Sequence, residues 1–411
     1  AESKEIVVPD DYLSIQEAID NASDGDTILV RSGIYEGAQN KTLTIDKTIS
    51  LLGEDAKNTK ICLHPEFWTV TFPPDTRLSG CTDPLVIHAD DVILSGFTIT
   101  SDGGVIRVNG NNTQIVGNVI NVKLHLQGRN QTFALNNITA SVTCSGYYSY
   151  VYKNNVMDCS IGTLTGSYAS IFANTVIRGS IGTGGTSNTA VIYNNTVKRG
   201  QIMLASNRNI VCNNSISNGN KGLGITWGGE NLISKNVVSN CSIGLYKTQP
   251  QRGNVFSANQ IENCSCGLKF EYYGPMPETK LYFNNFVNNA HQVNMSSSIV
   301  ITWDDGVTGN YWSNYNGSDD NADGIGDIPF QINAKNQDPY PLIKQFDIYN
   351  LTIQLPEWAI IESETTVPKP IFPTSSNDCI PEFPSSMILP LILIITIVSI
   401  IIKRILISDG D

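Results

Sequence analysis

The chain contains 411 residues with a formal net charge of −12, and 41% of its residues are hydrophobic. Such an acidic chain argues against nucleic acid as a partner. The acids lie mainly towards the two ends, because residues 118–290 contain thirteen Lys and Arg but only five Asp and Glu. This basic middle suits an anionic glycan or lipid surface, and it equally suits ordinary solubility.

Residues 1–60 are predicted to form an N-terminal cap and the first coils of a solenoid. Ile15, Ala18 and Ile19 lie on one face of a short helix, with Ser14 as N-cap and Glu17 at the third helical position, the pattern of a capping box. A strand is predicted at Thr27–Val30. A helix at this end would cover a core that an open solenoid exposes.

Residues 61–302 are predicted to form the repeats of the solenoid. Residues 62–84 break the pattern and are predicted to form a loop thrown out of the first coils. Cys62 and Cys81 bracket this loop and are predicted to form a disulfide. Cys241 and Cys264 each lie five residues after a repeat asparagine, so they are expected to stack in adjacent coils, either as a disulfide or as two buried thiols.

A short motif recurs about nine times between Gly117 and Ala290. It consists of an asparagine followed by β-branched or apolar residues, as in ANTV, NNTV and NNSI. A repeat of this length indicates a solenoid whose units are stable only when stacked. Asn tolerates a turn conformation, and Val and Ile suit the strand that follows it. The aligned asparagines are Asn118, Asn137, Asn155, Asn174, Asn195, Asn214, Asn236, Asn259 and Asn285.

The repeat length predicts an all-β, right-handed, single-stranded parallel β-helix. Helical repeats are not favoured, because no apolar face with i, i+3, i+4 spacing is present. Equivalent asparagines are expected to stack into an internal hydrogen-bonded ladder. The alternative is an Asn-rich β-sandwich, although sandwiches do not repeat a phrase in register.

Aromatic residues form two clusters within the repeats. Tyr147 and Tyr148 belong to the first, and Trp227, Tyr272 and Tyr273 to the second. Exposed aromatic rings on a β-helix can stack on sugar rings, so these five residues are candidate glycan contacts. Packing within the core or a side-chain ladder is the alternative role.

Residues 303–350 are predicted to form a closing block. Asp319, Asn321, Asp323, Ile325 and Asp327 have the spacing of a calcium loop, in which alternate side chains and one carbonyl bind the ion. The usual glutamate at the twelfth position is absent, since Phe330 stands there. The site would be incomplete or would be finished by another aspartate, and a plain Asp/Gly-rich turn is the alternative.

Two segments resemble one known family. SIQEAIDNASDGDTILVRSGIYEG, residues 14–37, and the block from Trp303 to Lys344 are similar to the ends of NosD-like right-handed β-helix proteins, a family of carbohydrate-binding and sugar-hydrolase-type repeats. The resemblance covers roughly residues 6–345. It implies a β-helix, and it adds maturation of a copper site to the functions under consideration.

The last sixty residues lose the repeat pattern. Residues 351–386 are rich in Pro, Ser, Thr and Glu and are predicted to be a stalk. Residues 387–407 are predicted to be a transmembrane anchor or sorting signal, because the apolar run Met387–Ile402 precedes Lys403 and Arg404. Ile380–Pro384, IPEFP, resembles the archaeal Pro-Glu-Phe sorting signal, which implies cleavage of the tail and replacement by a lipid.

Export is predicted from both ends of the chain and from its sequons. The sequence begins at Ala1, as expected after removal of a signal peptide, and the anchor places the β-helix on the extracellular face. Twelve Asn-x-Ser/Thr sequons are candidate glycosylation sites. They are Asn21, Asn40, Asn111, Asn130, Asn137, Asn194, Asn213, Asn240, Asn263, Asn294, Asn316 and Asn350.

No catalytic residue is predicted. Glycosidases need two facing carboxylates, and no acids fall at equal phase in neighbouring repeats. Three hypotheses remain. The first is a non-enzymatic, anchored surface protein that builds an envelope or sheath with neighbouring subunits or binds glycans. The second is a β-helix polysaccharide lyase or hydrolase. The third is a NosD-type copper-site maturation protein. Apart from a possible Ca²⁺, no cofactor is expected.

Overall fold

The computed structural model describes residues 3–72, 76–164, 168–185, 189–251, 253–271 and 278–350. These residues form a right-handed parallel β-helix, in which each complete coil adds one short strand to each of three parallel sheets, A, B and C. The predicted fold class is therefore confirmed for the solenoid. The predicted stalk, sorting signal and membrane segment lie outside the described residues.

The strands of each sheet follow one another along the solenoid axis. Sheet A contains Glu5–Val8, Thr27–Val30, Ser50–Gly53, Ile93–Ser95, Gln114–Val116, Thr132–Ala134, Tyr147–Tyr152, Tyr168–Phe172, Thr189–Tyr193, Ile210–Cys212, Leu232–Ser234, Val255–Ser257 and Lys280–Tyr282. Sheet B contains Gly33–Glu36, Thr59–Leu63, Thr98–Ser101, Val119–Ile120, Asn137–Ile138, Asn155–Met157, Thr175–Ile177, Thr196–Lys198, Ser215–Ser217, Val237–Ser239, Gln260–Glu262, Asn285–Val287 and Tyr311–Trp312. Sheet C contains Leu43–Ile45, Leu85–Ile87, Val105–Val108, Lys123–Leu126, Val142–Cys144, Ile161–Thr163, Ser180–Thr183, Gln201–Ala205, Lys221–Trp227, Ile243–Lys247, Cys266–Phe270 and His291–Asn294.

The core runs the length of the solenoid because alternate residues of each strand point inwards. In sheet A, Ile28, Leu51, Leu94 and Ile115 occupy equivalent inward positions in consecutive coils and are fully buried. Each apolar side chain therefore packs on its counterpart one coil away, and one coil alone could not bury it.

Both ends of the core are covered. The helix Ile15–Asn21 buries its predicted apolar face at the N-terminal end, and the hydroxyl of Ser14 accepts a hydrogen bond from the Glu17 N–H at 3.2 Å. At the other end the rings of Phe286, Trp312 and Phe330 stack with centroids 4.5 and 4.6 Å apart. Short antiparallel strands, Phe330–Asn333 and Asn336–Asp338, and a 3₁₀ turn, Ile348–Asn350, complete the closing block. Within the described ranges, no helix has the length and apolar character needed to cross a membrane.

The insertion near the N-terminus contains an antiparallel hairpin of Phe67–Phe72 and Thr76–Cys81. The predicted disulfide at its base is absent, since Cys62 and Cys81 are both free thiols. Cys62 lies at an outward position of a sheet B strand between the core residues Ile61 and Leu63. Cys81 instead ends the hairpin, opposite Phe67. The two cysteines thus lie on different elements, and no bond joins them in the structure.

A buried asparagine ladder runs along the turn between sheets A and B, as predicted. Six of the nine aligned asparagines lie in the ladder. At the other three positions Asn136, Asn154 and Asn284 occupy the ladder instead of Asn137, Asn155 and Asn285. The ladder residue always lies two positions before an inward apolar residue. Asn137, Asn155 and Asn285 lie only one position before that residue, so they point outside the ladder. Asn310 extends the series by one coil. The ladder residues are Asn118, Asn136, Asn154, Asn174, Asn195, Asn214, Asn236, Asn259, Asn284 and Asn310.

Every rung of the ladder donates to the next rung and to a carbonyl of the preceding coil, and Asn214 shows the pattern. The backbone N–H and the side-chain Nδ2 of Asn214 donate to Oδ1 of Asn236 at 3.0 and 2.9 Å, and Nδ2 also donates to the carbonyls of Ile192 and Cys212. The last acceptor is the fully buried carboxylate of Asp338, which accepts from Asn310 and from the Trp312 indole. Burial raises the pKa of Asp338 to about 6, although these donors act in the opposite direction.

Replacing a ladder asparagine should destabilise the whole solenoid. Asn214→Leu removes the acceptor of the Asn195 backbone N–H and the side-chain donor to the Ile192 and Cys212 carbonyls, at about 1–3 kcal/mol for each buried group left unpaired. The bond from the backbone N–H of residue 214 to Asn236 remains. We expect a clear fall in the free energy of unfolding measured by denaturant titration. Asn155→Leu is the matched control, because Asn155 is an exposed neighbour of the ladder. Equal effects of the two substitutions would contradict the ladder's role.

Candidate functional site

The outward face of sheet C carries a continuous row of residues in register. One residue from each of eight consecutive strands contributes to it, and the parallel pairing fixes their order. The row consists of His125, Thr143, Gly162, Gly182, Met203, Gly224, Tyr246 and Lys269. Its seven steps of about 4.8 Å span about 34 Å.

Glycines make the middle of this row a shallow channel. A Cβ added at Gly162 would meet nothing closer than 4.0 Å, and one at Gly182 nothing closer than 3.6 Å. At Gly224 the situation differs, because a Cβ would lie 2.3 Å from the Tyr246 ring. The missing side chain at Gly224 therefore lets the tyrosine ring lie flat against the sheet.

Beside Tyr246 the channel deepens into a groove with a volume of about 420 Å³. Its lining combines two basic side chains with hydroxyl, amide and thioether groups. The lining residues are Ser180, Arg199, Gly200, Gln201, Met203, Asn220, Lys221, Thr226 and Tyr246. A groove with several hydrogen-bonding groups, a basic rim and an aromatic wall can hold a polar, negatively charged ligand.

Positive charge predominates at the groove. Nζ of Lys221 lies 4.4 Å from the centre of the Tyr246 ring. The Glu271 carboxylate bridges Lys221 and Lys269 at 3.4 and 3.1 Å, and its pKa is lowered mainly by the Lys269 hydrogen bond. Arg199 is exposed and makes no ion pair with any described residue. Three cations thus face one carboxylate.

Tyr246 is held rigidly as the wall of the groove. Its hydroxyl donates to Oε1 of Gln201 at 3.0 Å, and burial raises the pKa of the phenol. The next residue, Lys247, points the opposite way, into the core between Ile225 and Phe270. Its amine is fully buried and has no hydrogen-bond partner among the described residues, and this burial lowers the pKa of Lys247 to about 8.

The groove does not contain the acid pair that glycoside hydrolysis requires. Glu271 is the one carboxylate found beside it among the described residues, and two lysines already hold that group. The other repeat acids that form ion pairs do so elsewhere: Asp158 binds Arg178, and Glu230 binds Arg208. The phenol of Tyr246 is a poor proton acceptor, because its raised pKa keeps it protonated.

The described aromatic residues predicted as glycan contacts lie on two different sheets. In sheet A, Tyr147 and Tyr148 both stack on Tyr168, with ring centroids 5.8 and 5.6 Å apart. Trp227 belongs to sheet C, where it is exposed at the end of the strand that also carries Lys221 and Thr226. Tyr272 and Tyr273 lie outside the described residues.

The predicted calcium loop is folded by bonds to its own backbone. The Asp319 carboxylate accepts from the N–H groups of Asp323 and Gly324 at 3.1 and 3.0 Å, and Asp323 accepts from Ile325 at 2.8 Å. Asp327 accepts from the Asp320 N–H at 2.7 Å. Asn321 accepts from Asp323 at 3.1 Å. These bonds fold the loop on itself, and calcium binding stays a prediction.

The twelve sequon asparagines lie at accessible positions. None of them is buried, and eight are exposed. Asn137 is an example: it faces outwards on a sheet B strand, whereas its neighbour Asn136 is in the ladder. Glycosylation stays a prediction that is sterically compatible with the fold.

Comparison with known proteins adds a family. Residues 160–317 match the NosD family, described as a periplasmic copper-binding protein. The match confirms the resemblance to NosD-like proteins over the coils that form the groove. It agrees with a chain that works outside the cytoplasm. No curated protein matches the sequence.

Three solved structures give low-scoring matches to this chain. The A-module of the mannuronan C-5 epimerase AlgE6 from Azotobacter vinelandii matches with a TM-score of 0.49 and 12% identity, over 71% of this chain and 93% of the module. The alginate lyase AlyF-OU02 matches with a TM-score of 0.39 and 11% identity, over 74% and 88% of the two chains. A family 28 exopolygalacturonase from Yersinia enterocolitica has a TM-score of 0.40 and 13% identity, over 75% and 77%.

The NosD description names copper, which requires ligands among the side chains of the chain. Copper sites in proteins use clustered His, Cys or Met ligands. Across the described ranges, no group of three or more His, Cys, Asp or Glu residues is placed to hold a metal ion. Of the histidines, His64 is held between Glu36 and Asp102 at 2.8 and 2.7 Å, and His125 bonds Ser145. The described residues do not fit a copper site.

The sequence indicated a basic middle region but missed the groove. Lys221, Arg199, Gln201 and Tyr246 lie in separate repeats, and only the register of sheet C brings them together. A usable signal was present in the strands IGT, SIGT and KGLGIT, where one glycine of each strand, Gly162, Gly182 or Gly224, takes the outward position of this row.

Proposed function

We propose that this chain is a non-enzymatic, membrane-anchored and glycosylated cell-surface β-helix protein that binds acidic glycans. The observation that carries the proposal is the basic groove on sheet C, where Arg199, Lys221 and Lys269 outnumber Glu271. Its ligand would be an oligosaccharide with carboxylate or sulfate groups.

Three features of the groove favour a saccharide over a simple anion. Ser180, Gln201 and Asn220 offer donors and acceptors for hydroxyl groups. Trp227 provides an exposed ring near the groove for contact with a sugar face. The glycine channel extends the surface past Gly182 towards Thr143, so a chain of sugars could continue along the solenoid axis.

A structural role accompanies this binding. Thirteen strands stacked about 4.8 Å apart make a rod of about 60 Å. Such a rod could hold the groove above the lipid and meet neighbouring surface subunits in an envelope or sheath. Copper-site maturation is not proposed, because the described residues do not fit a copper site.

Glycan binding is tested with variants of the groove. The Arg199→Ala/Lys221→Ala double variant should bind acidic oligosaccharides about tenfold or more weakly, because two charge-assisted contacts are lost. Isothermal titration of the full chain against uronate-containing and neutral oligosaccharides measures this. Lys198→Ala is the matched control, since Lys198 is exposed on sheet B. No preference for acidic ligands, or equal loss in the control, would contradict the proposal.

Polysaccharide cleavage is the alternative, and the same preparations test it. The groove contains Lys, Arg and Tyr side chains, which an elimination reaction could use. We expect neither reducing ends nor unsaturated products during incubation with acidic and neutral polysaccharides. Turnover abolished by Tyr246→Phe would replace the binding proposal with an enzymatic one.

We propose Ca²⁺ binding by Asp319, Asn321, Asp323, the Ile325 carbonyl and Asp327. A ligand that binds the folded state raises its stability by mass action. Millimolar Ca²⁺ should therefore raise the melting temperature relative to excess chelator. Asp319→Asn/Asp323→Asn should abolish the difference. An unchanged melting temperature in the unmodified chain would exclude a structural calcium ion.

Anchoring by the C-terminus is tested by deletion of residues 381–411. These residues contain IPEFP and the apolar run Met387–Ile402. Deletion should shift the protein from the membrane fraction to the medium in fractionated cells. Deletion of residues 363–372, within the predicted stalk, is the control and should leave the protein membrane-bound. Retention of the first variant in the membrane would refute the anchor.

A further inference from the structure

Cys241 and Cys264 lie at the same phase of adjacent coils. Each is in the turn between a sheet B strand and a sheet C strand. Ser239 pairs with Glu262 before the turn, and Ile243 pairs with Cys266 after it. The turns themselves are joined, because the Ser265 N–H donates to the Cys241 carbonyl at 3.1 Å.

Cys241 and Cys264 are free thiols in the structure, and the two side chains adopt matching positions. Sγ of Cys241 donates to the Ser239 carbonyl, and Sγ of Cys264 donates to the Glu262 carbonyl, both at 3.4 Å. Both side chains are buried in the core. Equivalent residues in paired strands are about 4.8 Å apart, which lies within the Cα separation of about 4.4–6.8 Å that disulfides require.

A glycine lies beside each of the two sulfur atoms, Gly222 next to Cys241 and Gly244 next to Cys264. A Cβ on Gly222 would lie 3.5 Å from the Cys241 sulfur, and one on Gly244 would lie 3.3 Å from the Cys264 sulfur. The absent side chains leave room for both sulfur atoms to turn towards each other with little movement of the backbone.

We propose that Cys241 and Cys264 form a disulfide that joins two adjacent coils. In thiol–disulfide exchange, the Cys241 thiolate attacks an external disulfide and releases one thiol. The Cys264 thiolate then attacks the Cys241 sulfur and releases the second thiol. Two protein thiols are oxidised, and one external disulfide is reduced to two thiols. The oxidant is a low-molecular-weight or protein disulfide of an oxidising compartment.

The electrostatics of the pair support this chemistry. In the stacked turns a hydrogen bond from Cys264 lowers the pKa of Cys241, so the two sulfur atoms lie within hydrogen-bonding reach of each other. Because both thiols are buried in the folded chain, exchange takes place while the coils are still assembling. The bond then closes as the two turns stack.

The disulfide would fix one wall of the basic groove. The two turns lead directly into Ile243–Lys247 and Cys266–Phe270, the strands that carry Tyr246 and Lys269. A bond between the turns would hold these two strands in register from their first residues.

Two other buried cysteines serve as internal controls. The in-register neighbours of Cys144 are Leu126 and Thr163, and those of Cys212 are Tyr193 and Ser234. Neither cysteine has another cysteine beside it in these pairings, so both should remain thiols under the same conditions.

Mass spectrometry of the full chain tests the pairing. The chain is refolded with oxidised and reduced glutathione, unfolded without reductant, alkylated and digested. We expect a cross-linked peptide pair containing Cys241 and Cys264, with Cys144 and Cys212 alkylated. Alkylation of both Cys241 and Cys264, or a bond from Cys241 to Cys266, would overturn the proposal.

Thermal unfolding gives a second readout that does not depend on one variant folding well. A disulfide reductant that is not itself a thiol should lower the melting temperature of the oxidised chain by about 5 °C or more. The reason is that the bond restricts the unfolded chain. Cys241→Ser/Cys264→Ser should lose this dependence, whereas Cys144→Ser should keep it. A melting temperature of the unmodified chain that ignores reductant would refute a stabilising bond.

Discussion

The asparagine ladder is the interaction on which the rest of the solenoid depends. Ten asparagines are buried in a turn, where an amide without partners would cost more than a hydrogen bond contributes. Each satisfies its neighbour, and the series ends on the Asp338 carboxylate. The ladder thus tolerates no coil out of phase, because a displaced asparagine would leave polar groups unpaired on both sides.

This constraint on phase explains how repeats of unequal length build a regular surface. Successive ladder residues are separated by 18 residues at one end and by 26 at the other. The additional residues are accommodated in turns, while the strands keep their register. His125 and Lys269 can therefore belong to one row on sheet C although coils of different length separate them. The groove depends on the ladder for the alignment of its walls.

The β-helix could be predicted from the sequence because the repeated asparagine motif marks an inward-facing position in each coil. The solenoid, the helix Ile15–Asn21, the strand Thr27–Val30 and six of nine ladder positions followed from local pattern. The other three were displaced by one residue because each lies in an Asn-Asn pair, and only the distance to the next inward residue distinguishes its members. The predicted disulfide of Cys62 and Cys81 is not formed in the structure, where the two residues lie on different elements. The groove was missed because Arg199, Lys221 and Tyr246 meet only through the stacking of three coils.

The direction of the ladder bonds has a consequence for biosynthesis. Every asparagine donates to the coil that follows it in sequence, so a nascent chain always ends in a coil whose donors lack acceptors. Phe97 begins the series by donating to Asn118, and the final acceptor is synthesised more than 200 residues later, at Asp338. A growing chain has no finished C-terminal end before that point. The last rungs therefore close only after the closing block has been synthesised, so the order in which the coils are completed follows the polarity of the ladder.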